Sequence, residues 1–139
     1  MQIQPYLFFE GRCEEALEFY KSIFKIKMGR LLRYKEAPDA PPEGMIAPGS
    51  ENKVMHCDFQ IGDNTINASD GGCFGSPKFE GFALTVTVDT AAECDRIFNA
   101  LSAGGGIEMP VGETFFSKRF GMCVDKFGVH WMVILPQPM

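Results

Sequence analysis

Two histidines, a lone carboxylate ahead of an aromatic pair and a few strand-borne amides and hydroxyls are the groups that could do chemistry in this chain. His56 alternates with Asp58 and Gln60, so in a strand the three share a face. An imidazole among polar groups can be a general base near neutral pH. The alternative is a structural histidine bonded to backbone. Asn67 and Ser69 share a face of the next strand and could position a substrate. Glu113 stands between Gly112 and Thr114, ahead of Phe115 and Phe116. Apolar neighbours raise a carboxyl pKa and suit an acid or base role; a strand-end carboxylate in water is the alternative. His130 alternates with Met132 and is either part of a site or a surface histidine.

Cys13, Cys57, Cys73, Cys94 and Cys123 are an odd number of thiols with long gaps. That spacing suits neither a disulfide framework nor a structural zinc site. They read as reduced, mostly buried thiols, with a nucleophilic cysteine as the alternative. The only histidine beside one is His56, next to Cys57, and strand neighbours point to opposite faces.

These groups must be positioned by elements that the apolar pattern marks out. Residues 3–9 read as a strand, starting late or lying at an edge because Pro5 has no ladder donor. Apolar positions 13, 16, 17, 20, 23 and 24 trace a helix from Cys13 to Lys27. Met28 to Lys35 reads as a strand. Residues 36–51 hold Pro38, Pro41, Pro42 and Pro48 and form a long loop, read as a surface excursion, with a binding lid as the alternative. Strands at 54–61 and 65–69 flank Gly62-Asp63-Asn64 as a hairpin. Asp70 caps the turn after Ser69, and residues 70–80 read as a Gly-rich linker.

Phe82 to Val88 alternates cleanly, with Ala83, Thr85 and Thr87 on one face. Thr90 and Glu93 form a capping box for a helix that ends at Gly104-Gly105-Gly106. Three strands follow, from Ile107 to Leu135, with breaks at Pro110–Gly112 and Lys126–Gly128. Trp131, the only tryptophan, is expected beneath the second helix.

Each half therefore reads strand, helix, three strands. The expected class is α+β: two βαβββ modules in one domain of 139 residues, about 1–70 and 80–139. Side by side they make a curved sheet around a cavity, helices outside. Its expected lining is Asn67, Ser69, Ala83, Thr85, Glu113 and Met132, with Tyr6 or Phe8 at the rim. Such a mixed surface suits a small, partly apolar molecule.

At 139 residues, 45% hydrophobic and 22% charged, the chain is not disordered, collagenous or coiled coil as a whole. No apolar run approaches a membrane span, and the N-terminus lacks a basic-then-apolar signal, so a cytoplasmic protein is expected. A net charge of −5 with scattered basic residues argues against nucleic acid and anionic membrane as partners.

The doubled pattern resembles the vicinal oxygen chelate superfamily of glyoxalase I, bleomycin-resistance proteins and extradiol dioxygenases. Within it, the chain resembles the PhnB-like family. The resemblance rests on Pro5-Tyr6-Leu7, Ala16, Tyr20, His56, Ser69-Asp70, Ile107-Glu108-Met109, Glu113-Thr114-Phe115, and Asp125-Lys126-Phe127-Gly128-Val129 followed by Trp131-Met132. It implies a homodimer, with the aromatic-rich first strand as apolar contact. It also brings a label, demethylubiquinone methyltransferase. A methyl-donor site of the common kind needs a Gly-rich turn opening a helix, whereas the Gly clusters here lie in a linker and after a helix.

The superfamily's metal-dependent members hold one divalent ion through His, Gln or Glu side chains. By resemblance, those positions fall here on Gln4, Asn67, Gly81 and Met132. Glycine offers no donor and a thioether is a poor ligand for such ions. The usual metal site is therefore expected to be absent, and no cofactor is expected. His56 and Glu113 are then the candidate catalytic residues, and Asn67, Ser69, Thr85 and Met132 the candidate substrate contacts. Metal-free binding or modification of a small metabolite, a metalloenzyme with displaced ligands, and a drug-sequestering binder all remain open.

Overall fold

Pro5 sets where the first strand begins. In the computed structural model, which describes residues 1–39 and 41–138, β1 runs only Tyr6–Phe8 and lies at a sheet edge. An edge strand can lose one ladder donor without leaving a partner unpaired. The chain divides into two compact units, Met1–Pro77 and Lys78–Met139.

In the first unit, β1 is followed by helix α1 (Cys13–Lys21) and strands β2 (Ile26–Arg33), β3 (Val54–Ile61) and β4 (Asn64–Ser69). The sheet order is β1-β4-β3-β2, with β1 parallel to β4 and the other pairs antiparallel. The β3–β4 hairpin closes with Ile61 opposite Asn64, and Gly62 takes the positive φ, 59°, of a tight turn. One sheet face is apolar: Leu7, Cys57, Phe59, Ile66 and Ala68 are buried with Ala16, Leu17 and Tyr20 of α1. The Cys13 and Cys57 sulfurs lie 3.8 Å apart across this layer. Burying each Leu- or Phe-sized side chain contributes roughly 1.5–3 kcal/mol.

The helix stops six residues short of the expected Lys27. Ile23 and Phe24 are buried as the pattern demands, but from a turn in which both N–H groups donate to the Tyr20 carbonyl. The apolar spacing is kept while the backbone leaves the helix, so periodicity overshoots.

The second unit repeats the order: β5 (Leu84–Thr87), α2 (Ala91–Ser102), β6 (Gly106–Gly112), β7 (Ser117–Val124) and β8 (His130–Pro136). Its sheet is β5-β8-β7-β6, again with one parallel pair, β5 with β8. Thr90 caps α2 by accepting the Glu93 N–H at 3.1 Å. Cys94, Ile97, Phe98 and Leu101 of α2 are buried, as are Cys123, Trp131 and Val133 of the sheet it covers. Phe98 lies so close over Gly121 that a Cβ there would sit 2.7 Å from its ring.

The break expected at Pro110–Gly112 lies instead at residues 113–116. Pro110 belongs to β6, an edge strand of its sheet, where a missing N–H is tolerated.

Candidate functional site

The β3 and β4 registers place the polar groups of the first unit. Asp58 lies opposite Asn67, and Tyr6 and Phe8 of β1 lie beside Asn67 and Ser69. All share the sheet face that α1 does not cover. There the Tyr6 hydroxyl meets His56 Nδ1 at 3.1 Å, and His56 Nε2 lies 3.6 Å from Asp58 Oδ2. The expected face of His56 and Asp58 is thus present, with Tyr6 added to it.

Asp58 owes its place to a glycine. A Cβ at Gly29 would fall 1.9 Å from Asp58 Oδ1, and that oxygen also accepts the Arg30 N–H at 3.4 Å. The carboxylate occupies the space that any other residue at 29 would fill.

Tyr6 also lines a cavity of about 550 Å³ whose walls come from the first unit alone. That volume falls in the roughly 300–1,000 Å³ range of small-molecule sites. Phe8, Glu10, Tyr34 and Ser69 line it too, together with Met55 beside His56. The remaining wall comes from segments read as a surface loop and a linker. Ala37, Asp39, Pro41, Pro42, Met45 and Ile46 of the 36–51 loop, with Gly71 and Gly72, face the cavity. The loop is fastened there: the Ala47 N–H donates to the Gly72 carbonyl at 2.8 Å, and the Tyr34 hydroxyl donates to the Gly71 carbonyl. Gly72 permits this approach, since a Cβ there would lie 3.0 Å from the Met45 carbonyl oxygen of the loop.

Glu10 sits at the turn leaving β1, and its Oε2 accepts the Phe74 N–H at 3.2 Å. Among the described residues, Glu10 (φ 50°) and Cys73 (φ 59°) are the non-glycine residues in the left-handed region; Glu10 lines this cavity, and Cys73 follows the lining residue Gly72 in the chain. Such backbone strain concentrates at functional sites.

Burial raises the Tyr6 and Tyr34 hydroxyls above the ordinary phenol range; a hydrogen bond from Ser69 partly opposes this at Tyr6. Both phenols therefore keep their protons at neutral pH. Burial likewise raises the Cys73 and Cys94 thiols, whereas the hydrogen bond with Cys13 lowers Cys57. Cys13 is held as a thiol by its hydrogen bond to Cys57 and by burial, and burial pushes Cys123 up to about 11.

The other sequence-selected residues lie apart from this cavity's walls. Asn67 spends its amide on Gln4 Oε1 at 3.0 Å and on the Pro5 carbonyl at 3.4 Å. In the second unit, the Thr85 hydroxyl meets Met132 Sδ at 3.7 Å, on the sheet face away from α2. Glu113 is exposed in the connection between β6 and β7. His130 Nδ1 lies 2.9 Å from Glu108 Oε1. Glu10 and Tyr34 were missed because nothing near them in sequence shows that they converge. Glu10-Gly11, a tight turn straight after a strand, was the available signal.

The superfamily's metal positions can be tested against this geometry. Gln4 and Asn67 are bonded to each other, Gly81 has no donor, and Met132 offers a thioether already engaged by Thr85. Among the described residues, no group of three or more His, Cys, Asp or Glu side chains converges to hold an ion.

The model of the family described as 3-demethylubiquinone-9 3-methyltransferase matches residues 1–134. The chain belongs to that family. This PhnB-like chain is 33% identical to Protein YjdN of Escherichia coli over 140 residues, 96% of the chain and 94% of the relative. It is 34% identical to protein PA1353 of Pseudomonas aeruginosa, with a TM-score of 0.84 and 99% of each chain covered. The PhnB protein of Bacillus cereus is similar at 34% identity and a TM-score of 0.80, covering 97% of this chain and 99% of its own. A glyoxylase/bleomycin resistance protein/dioxygenase domain from Frankia superposes at a TM-score of 0.61 with 15% identity, over 98% of this chain and 95% of its own; at that identity only the fold is shared. The PhnB-like chain thus has the glyoxalase/bleomycin-resistance fold. Among the described residues no helix is long and apolar enough to cross a membrane.

Proposed function

We propose that this PhnB-like protein binds a small, partly apolar organic metabolite in the first-unit cavity and transfers a proton to or from it, without the superfamily's usual divalent metal. One observation carries the reading: Tyr6 both lines the cavity and bonds His56, which faces Asp58. The Tyr6 phenol, protonated at neutral pH and raised further by burial, is the proton donor toward a bound molecule. His56 restores or accepts the proton, and the Asp58 carboxylate stabilises the imidazolium that forms. Ser69 lines the cavity, and its hydroxyl, which accepts the Gly71 N–H at 3.1 Å, fixes Tyr6 in place. Asn67, Thr85 and Met132 remain secondary candidates for substrate contact, and Glu113 a second candidate for acid–base work.

The donor set supports the metal-free part. Two amides bonded to each other, a glycine and a thioether are poor partners for a divalent ion. We do not propose methyl transfer. Helices α1 and α2 open after Glu10-Gly11-Arg12 and after residues 88–90, and neither turn is Gly-rich. The Gly clusters follow β4 and α2 instead.

The test begins with a thermal-shift screen of organic metabolites in the presence of a chelator, since a ligand that prefers the native state raises stability. For a compound that is turned over, His56→Ala is expected to lower kcat by about 100-fold or more while affinity stays within a few-fold. Turnover unchanged in His56→Ala would remove the relay; if Glu113→Gln abolished it instead, the chemistry would move to that residue. Binding without turnover, insensitive to His56, would leave a sequestering protein. Activity lost on chelation and restored by one metal equivalent would overturn the metal-free reading.

We further propose a cytoplasmic homodimer, with the exposed Tyr6 and Phe8 of β1 supplying apolar contact. Light scattering at micromolar concentration is expected to give twice the chain mass; a clean monomer would contradict it.

A further inference from the structure

The geometry points to an organic cation, an amine or quaternary ammonium on an apolar body, as the class of ligand that the first-unit cavity selects. This rests on the cavity reading above and deepens it. The charged residues among its described lining are Glu10 and Asp39, both carboxylates, and no lysine or arginine joins them. Glu10 is half-buried, and its bond from the Phe74 N–H holds the carboxylate at the wall. A fixed carboxylate in a partly dry wall attracts a cation more strongly than it would in water. Lys53 is a cation on that side. Its ammonium donates to the Gly11 carbonyl at 2.8 Å and lies outside the lining.

Aromatic faces supply the second element. Tyr6, Phe8 and Tyr34 line the same cavity, with the Tyr6 and Phe8 ring centroids 4.8 Å apart. Ring faces attract ammonium groups, and Tyr and Phe rings grouped in one pocket are suited to quaternary ammonium. An ordinary phenol is already neutral at pH 7 and burial moves both further that way, so they add π-faces and hydroxyls without adding charge. The cavity then offers carboxylate and π-density to a cationic head and the loop's apolar side chains to its body. A carboxylate or phosphate ligand would meet only like charge.

A matched set of benzyltrimethylammonium, benzyl alcohol and benzoate, titrated calorimetrically into the full chain, separates the possibilities. The ammonium is expected to bind at least about tenfold more tightly than the alcohol, and benzoate most weakly. Glu10→Gln keeps the shape and the acceptor for Phe74, and is expected to remove most of that preference by weakening the ammonium far more than the alcohol. Asp39→Asn, at an exposed position, is the second variant should Glu10→Gln fail to fold. Equal binding of ammonium and alcohol would overturn the cation inference while leaving the cavity reading intact. So would a preference for benzoate, or a cation preference unmoved by both substitutions. No binding by any probe would overturn the inference, and the cavity reading would fall with it if the metabolite screen were also empty.

Discussion

Asp70→Ala is expected to destabilise the protein by about 3–5 kcal/mol, a large share of a small domain's stability. Asp70 is 1% exposed. Its Oδ1 accepts the Cys13 N–H at 2.7 Å and its Oδ2 accepts the Val54 N–H at 2.6 Å. Cys13 is the first residue of α1, and Arg12 before it makes no side-chain cap. The carboxylate of Asp70, 57 residues downstream, therefore does the capping and meets the positive end of the helix. Alanine would orphan two buried N–H groups, each costing about 1–3 kcal/mol. Asp70→Asn keeps the shape but turns an NH2 toward one of those donors, so it should retain only part of the stability. Urea unfolding at constant m-value checks both variants. A loss below about 1 kcal/mol for the alanine would contradict the capping role.

Asp125→Ala should rank beside it. Asp125 is 2% exposed; Oδ1 accepts from Phe127 N at 2.9 Å and Val129 N at 3.1 Å, and Oδ2 from Trp131 Nε1 at 2.8 Å. The carboxylate shapes the turn into β8 and anchors the indole beneath α2. Removing it takes the carboxylate acceptor away from three donors, and a loss of about 3–5 kcal/mol is expected. The native state should report the change directly, because Trp131 is the only tryptophan. Its emission and near-UV dichroism should shift in Asp125→Ala even where the chain remains folded. Unchanged spectra with a stability loss under about 1 kcal/mol would show that the turn holds without the carboxylate.

These two aspartates show where sequence reading succeeds and where it stops. The Asp125 turn was legible because its partners lie two, four and six residues away. Asp70 read as a local cap, and its longest reach, to Cys13, had no local trace. The doubled βαβββ order was legible because period-2 and period-3.6 patterns survive in single segments. The end of α1 was not, because Ile23 and Phe24 satisfy helical spacing from a turn. At the site, alternation along β3 put His56 and Asp58 on one face. The Tyr6–His56 contact spans 50 residues and depends on β1 pairing with β4 in one register. The cavity wall was invisible for the same reason: Glu10, Tyr34, the 36–51 loop and Gly71 converge only through tertiary bonds.

The composition of that wall bears on how tightly anything can be held. Pro38, Pro41, Pro42 and Pro48 fall within the loop, and two of them face the cavity. Each pyrrolidine ring fixes its φ before any ligand arrives and narrows the unfolded ensemble. Ordering a long flexible lid would subtract from affinity at every binding event. Here part of that conformational entropy is absent from the outset, because each proline enters the chain with its ring already closed, so the wall meets its ligand partly restricted.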